Sequence, residues 1–327
     1  MRASRPGARP LNFRPAPAFR APWWARGAHA QTLLAHWLPF PVEPLPWAPH
    51  RLDLGGGEAL LLQVAEGPGD RVVLLFHGLG GDASRDYMAR AASRFHALGA
   101  SVVAVNHRGA GAGRGLARQP YHSGATADLE AAFRYGRERF PGRRQLAIGY
   151  SISGNILLLL LGRNRPDRAL PDAAIAVNPP ADLEHCSRLL ERGLNRLYDL
   201  RFVRLLRSDL DHRRALGLEA AEIPAFASLR DFDAAFTARA AGFLDRADYY
   251  ARCACGPHLR GIEVPTVVLS SEDDPFAPAA DLRRCGLSPQ VHLHIEPRGG
   301  HMGYLSQGYP GFRWLEAALE HFSNELL

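Results

Sequence analysis

From Arg71 onward the chain alternates two patterns: short β-branched apolar runs, and longer stretches whose apolar residues recur at three- and four-residue spacing. RVVLLF (71–76) runs into the glycine-rich HGLGG and then the helical SRDYMARAASRFHAL. SVVAVN (101–106) runs into HRGAGAGRG and then TADLEAAFRYGRERF, and QLAIGY (145–150) runs into a turn with two serines, Ser151 and Ser153. AAIAVN, PTVVLS and VHLHIE continue the series, and PGFRWLEAALEHF closes it as a helix. Strands that are apolar throughout and alternate with helices predict an α/β fold: a mostly parallel sheet with helices on both faces. About eighty mostly helical residues between AAIAVNPP and PTVVLS (181–260) break the alternation. They predict an inserted helical lid over the carboxyl ends of the strands, where open α/β sheets bind ligands.

Ahead of this body, residues 1–22 hold Pro, Arg and Ala without periodicity and predict a flexible or surface-hugging arm. Residues 23–327 are expected to form one domain. The stretch PWWARGAHAQTLLAHWLPF (22–40) is apolar enough to pack on a core, with peripheral membrane contact as the alternative.

Charge changes this picture little. The formal charge is +6, from 39 basic and 33 acidic residues, and six arginines from Arg2 to Arg26 precede the first acid, Glu43. The remaining body is formally neutral, which argues against nucleic acid as a partner. Four cysteines (Cys186, Cys253, Cys255, Cys285) show neither metal-ligand spacing nor a disulfide framework. The longest aliphatic run, Ile156–Leu161, falls far short of the ~20 residues that span a bilayer. No apolar signal core follows the N-terminus, so the cytoplasm is the default expectation.

Chemistry enters at the strand ends. Gly149-Tyr150-Ser151-Ile152-Ser153 ends a strand and opens a helix, the setting of a nucleophile elbow. Ser151 has glycine two residues before it and a backbone donor directly after it. A nucleophilic serine needs a base, and the base needs an orienting acid, following in the order Ser, acid, His. SEDDPFAP and PRGGHMGY, which end two later strands, supply them. The base is His301. The acid is Asp274 or Asp273; Asp274 is preferred because it stands four residues before Pro278, in a D-x-x-x-P loop. The backbone N–H groups of Leu79 and Ile152 are the candidate oxyanion donors, with His77, Gly78 and Gly149 shaping the turns. His122, in YHSG, either lies near the site or caps the helix that begins near Thr126. GAGAGRG (109–115) fits no phosphate-loop spacing and is taken as a turn, and no histidine cluster has metal-ligand spacing, so neither a metal nor a cofactor is expected.

With these residues placed, the chain resembles the YheT-like family of α/β hydrolases. RGAHAQTLL, FHGLGG, NHRGAG, YHSG, FDAAFTARAAGF, DYY, DDPF and GGH are similar to its signatures in order along the chain. The resemblance implies an α/β-hydrolase fold and a Ser151–Asp274–His301 triad. It also implies activity on small-molecule acyl esters or lipids, of short to medium chain length. Acyl transfer to an alcohol and non-catalytic binding of an apolar ligand are the other readings. One departure stands out: the family elbow reads G-Y-S-x-G-G-N, and Ser153 replaces the first glycine of the pair. Its hydroxyl is expected to find a partner in the helix's first turn, so Ser153→Gly is expected to keep activity.

Overall fold

Alternation within each strand divides the core into two layers. In β3 (Arg71–Phe76), Val72, Leu74 and Phe76 face one side of the sheet and Val73 and Leu75 the other, as the two-residue period of a strand requires. The computed structural model of the chain describes residue 11, residues 13–163 and residues 167–327. Its single sheet has eight strands in the order β1-β2-β4-β3-β5-β6-β7-β8. The others are β1 (Ala48–Gly55), β2 (Glu58–Ala65), β4 (Ser101–Asn106), β5 (Arg144–Tyr150), β6 (Ala173–Val177), β7 (Thr266–Ser271) and β8 (Val291–Glu296). Strands β3 to β8 pair in parallel, and β1 and β2 form an antiparallel hairpin whose second strand joins β4. That hairpin is absent from the sequence expectation, although LDLGGGEALLL carries its turn signal.

Before the sheet comes α1 (Ala28–Trp37). Helix α2 (Asp86–Ala97) packs with the C-terminal helix on one face, while α3 (Thr126–Arg139) and α4 (Ile152–Gly162) cover the other. Beyond its polar first turn helix α4 is aliphatic on every side, and Ile156–Leu161 are all fully buried, the pattern of a helix enclosed in a core. Between β6 and β7 the chain forms α5 (Leu183–Leu190), α6 (Arg196–Ala215), α7 (Leu229–Phe232), a π-helical turn Asp233–Thr237, α8 (Ala238–Ala240) and α9 (Arg246–Cys253). Helix α10 (Ala279–Arg284) follows β7, and α11 (Trp314–Leu326) ends the chain. No helix among the described residues is long and apolar enough to cross a membrane.

The described part of the N-terminal arm lies on the body. Phe19 meets Trp314 edge to face at 5.3 Å and Phe13 meets Phe322 at 6.0 Å. Trp314 Nε1 donates to the Pro17 carbonyl at 2.9 Å, and the Arg20 N–H donates to Ser306 Oγ at 2.7 Å. Two aromatic anchors among the prolines give this segment the apolar surface that its composition alone does not suggest. The arm's residues 1–10 and 12 lie outside the described residues.

Candidate active site

Residue 151 sits where β5 turns sharply into α4, and the turn has a backbone cost. Ser151 has φ 52° and ψ −118°, a strained conformation for a residue with a Cβ. Strand and helix approach so closely that a Cβ on Gly149 would lie 2.6 Å from the Ser153 carbonyl oxygen. A Cβ on Gly78 would lie 3.3 Å from that of Ser151. Glycine at 149 is a requirement of the turn, and at 78 it relieves a tight approach.

His301 Nε2 lies 2.9 Å from Ser151 Oγ, and His301 Nδ1 lies 2.8 Å from Asp274 Oδ2. Asp274 is fixed by three further donors. Asn178 Nδ2 donates to Oδ2 at 2.7 Å, and the N–H groups of Phe276 and Ala277 donate to Oδ1 at 3.1 and 2.9 Å. Asp273 takes a different position: its Oδ1 accepts the Gly300 N–H at 2.8 Å, so it braces the loop that carries the histidine. The same loop is held from α1. The His301 N–H donates to Thr32 Oγ1 at 2.9 Å, and Gln31 bonds both the N–H and the carbonyl of Leu305, at 2.6 and 3.0 Å. The Phe276 ring lies against the imidazole at 4.2 Å.

On the other side of Ser151, the turn His77–Gly81 is tied down peptide by peptide. The Gly78 N–H donates to Tyr87 Oη at 2.9 Å, the Gly80 N–H to Tyr121 Oη at 2.8 Å, and the Gly81 N–H to the Gly78 carbonyl at 3.0 Å. The N–H groups of Leu79 and Ile152 have no hydrogen-bond partner among the described residues. Burial lowers the pKa of His77 to about 3 and that of His107 to about 4, so both rings are neutral near pH 7. Arg108, of the NHRGAG turn, forks onto Asp128 at 2.8 Å and reaches Glu58 at 2.8 Å, joining β4 to α3 and the hairpin.

Two cavities meet at Ser151, and both include Leu79, Phe202, Phe276 and His301. The one under the lid, about 1110 Å³ with its mouth, is lined mainly by apolar groups such as Leu183, Leu190, Leu206, Leu210, Phe232 and Phe236. The other opens toward α1 and carries Arg85, Arg201 and His36 with Trp37. His122 lines the lid cavity, and its Nδ1 accepts the Gly124 N–H at 3.1 Å just before α3. The segment 109–115 is a turn with a short 3₁₀ piece at Gly111–Gly113. All four cysteines are free.

Ser153 departs from its expected surroundings. Its hydroxyl bonds the His77 carbonyl and His107 Nε2 across the sheet edge, and nothing in its own helical turn. The sequence reading also missed Asn178, Gln31, Thr32, Tyr87 and Tyr121. Asn178 had a usable signal, because AAIAVN ends at the same sheet edge as the other site residues. Gln31 and Thr32 had one in the resemblance of RGAHAQTLL to a family signature.

A model of the α/β-hydrolase fold matches residues 71–307. The chain belongs to the α/β-hydrolase fold family and is a hydrolase by class. Within that family it falls with YheT-like members: it is 31% identical over 290 residues to the "Putative esterase YheT" of Escherichia coli (strain K12), covering 85% of this chain and 84% of that protein. It is 30% identical over 247 residues to "Phospholipase ABHD3" of Mus musculus, covering 73% of this chain and 59% of that protein. The chain thus spans about six-tenths of the mouse protein. Among solved structures, the Pyrococcus furiosus esterase Pf2001 superposes with a TM-score of 0.58 at 14% identity, over 86% of this chain and 90% of that one, a likeness of fold.

Proposed function

We propose that this protein is a carboxylic-ester hydrolase working through an acyl-enzyme on Ser151. The observation that carries the reading is the continuous line from Ser151 Oγ through both nitrogens of His301 to Asp274 Oδ2, at 2.9 and 2.8 Å. The name of the Escherichia coli relative, an esterase, supports an ester bond, and that of the mouse relative, a phospholipase, supports a lipid as the molecule that carries it.

His301 Nε2 takes the Ser151 proton as Oγ attacks the ester carbonyl, and Asp274 stabilises the imidazolium that forms. The carbonyl oxygen becomes an oxyanion held by the N–H groups of Leu79 and Ile152, two donors with no partner among the described residues. Collapse breaks the bond to the alcohol oxygen, which leaves with the proton from His301. Water then repeats the sequence at the acyl carbonyl and restores the serine. The apolar cavity under the lid suits a short- to medium-chain acyl group, and the open cleft toward α1 suits the alcohol portion and the incoming water.

A fluorophosphonate probe tests the assignment: it should label the wild type and Ser153→Ala but not Ser151→Ala. Labelling that survives Ser151→Ala sinks it. Acyl transfer to an alcohol would use the same acyl-enzyme, and ester formation in the presence of ethanol separates the two outcomes.

A further inference from the structure

Ser153 is fully buried, two residues beyond the nucleophile, at the position where the resembled family carries glycine. A hydroxyl there is expensive unless it is paired, and its two partners identify its use. It donates to the His77 carbonyl and stands 2.6 Å from His107 Nε2. The serine has a single proton, and a carbonyl only accepts. The His107 proton therefore resides on Nε2 and points at Ser153 Oγ, leaving His107 Nδ1 bare, and that atom is buried without a partner among the described residues. The pair maintains this contact despite the cost of leaving a buried ring nitrogen unsatisfied.

The bonded carbonyl belongs to the His77–Gly78 peptide. Tyr87 Oη holds the N–H of that same peptide at 2.9 Å, so the group is gripped at both ends. The Gly80 N–H is held by Tyr121 Oη at 2.8 Å, and the Tyr121 ring stacks on His107 at 5.3 Å and 18°. The unpartnered Leu79 N–H lies between these two clamped peptides, and His107 touches both clamps.

We propose that Ser153, backed by His107, is a positioning residue that sets the direction of the Leu79 N–H in the oxyanion site. This rests on the hydrolase reading above. Ser153 does not touch the substrate; it limits rotation of the peptide ahead of the donor, and a glycine at 153 cannot do so. Its effect is confined to states with charge on the oxyanion.

The experiment compares wild type, Ser153→Ala, Ser153→Gly, His107→Leu and His107→Gln on a nitrophenyl butyrate ester. It also measures binding of a straight-chain alkyl trifluoromethyl ketone, whose serine adduct carries an oxyanion. Losing an oxyanion donor outright costs about 10²–10³ in kcat, and loosening one costs less, so Ser153→Ala should lower kcat about tenfold. KM should stay within about twofold, and ketone affinity should fall by the same factor as kcat/KM. His107→Leu should act in the same direction, and His107→Gln, whose amide N–H reaches Ser153 Oγ, should recover most of the loss. Because the hydroxyl bonds the His77 carbonyl and not its own turn, Ser153→Gly, which the sequence alone predicts to keep activity, should instead lose it like Ser153→Ala, and it serves if Ser153→Ala does not fold. Ser153→Ala or His107→Leu with kcat and ketone affinity within twofold of wild type overturns the proposal. So does a fall in kcat with unchanged ketone affinity. A wild type that neither labels nor turns over overturns the hydrolase reading itself, a distinguishable failure.

Discussion

Replacing Asp274 by Asn should reverse the proton arrangement of the base without moving it. Both N–H groups of Phe276 and Ala277 point at Oδ1, so the amide oxygen of the variant must occupy that side. The amide nitrogen then replaces Oδ2, facing His301 Nδ1 at 2.8 Å and Asn178 Nδ2 at 2.7 Å. Two donors cannot face each other, and the backbone donors cannot turn away, so the Asn178 amide flips to present its Oδ1 while His301 presents a bare Nδ1 and carries its proton on Nε2, toward Ser151. An imidazole in that tautomer cannot accept the serine proton. The equivalent substitution in a serine protease triad lowers kcat by about 10⁴ through this tautomer change, and the same magnitude applies here. Losing the charge that two backbone donors share should also cost about 1–3 kcal/mol of stability, so the assay belongs well below the unfolding midpoint.

The control is the neighbouring acid. Asp273 bonds Gly300 N–H through Oδ1, an acceptor that Asn retains, so Asp273→Asn should keep kcat within about threefold. Steady-state kinetics on a nitrophenyl butyrate ester, with circular dichroism to establish folding, gives both values. Asp274→Asn within tenfold of wild type, or Asp273→Asn as damaging as Asp274→Asn, would refute the assignment of the orienting acid.

Acidification should destabilise the fold between pH 6.5 and 4.5. Burial lowers His77, His107 and His122 from 6.5 to about 3, 4 and 4, and His36, His258 and His292 shift the same way. Unfolded chains bind those protons in this window and folded ones do not, so the stability present above pH 6.5 is lost as pH falls. Asp233 opposes this, raised by burial from 3.8 to about 6, as do Asp199 and Asp209 with raised values. The melting temperature should therefore fall on acidification, and fall more steeply in Asp233→Asn; a flat or rising profile contradicts the balance. Leu206→Trp, filling the lid cavity, should cut kcat/KM for an octanoate ester at least about tenfold more than for a butyrate ester. Equal losses on both would place the acyl chain elsewhere. Phe19→Ala removes the edge-to-face contact with Trp314 and should cost about 1–2 kcal/mol in denaturant unfolding; an unchanged midpoint would mean that the docked arm contributes nothing.

Most of the sheet was legible because its signal is local. Each parallel strand is a run of apolar residues ending in a glycine-rich or polar turn, and the elbow residues are contiguous. The antiparallel hairpin was missed because Ala48–Gly55 is largely exposed, so it carries no apolar run to mark it. That Ser151, Asp274 and His301 would meet at one sheet edge was legible because order along the chain and position at strand ends are one-dimensional facts. The bracing was not legible for the opposite reason. Gln31 and Leu305 are 274 residues apart and Thr32 and His301 are 269 apart, and nothing local to either member announces the partner. Ser153 shows the same limit: local rules send a serine in a first helical turn to its own backbone, while the available acceptor was a carbonyl 76 residues earlier.

The family signatures that carry no triad residue acquire physical roles once these contacts are known. RGAHAQTLL supplies the two side chains that hold the histidine loop, and NHRGAG supplies both the arginine that ties β4 to α3 and the buried His107. YHSG and DYY meet each other: Ser123 Oγ lies 2.6 Å from Tyr249 Oη, while Tyr250 Oη donates to Asp233 of FDAAFT at 2.7 Å. Asn155, at the end of the elbow motif, donates to the Ser123 and Cys253 carbonyls at 3.0 and 2.9 Å. The nucleophile helix, the post-turn segment and the lid are therefore joined by buried hydrogen bonds, which lose strength if any one element shifts. Fastened in this way, the segment 181–260 walls the cavity beside Ser151, and under the proposed function the side chains that line that cavity would select the acyl group.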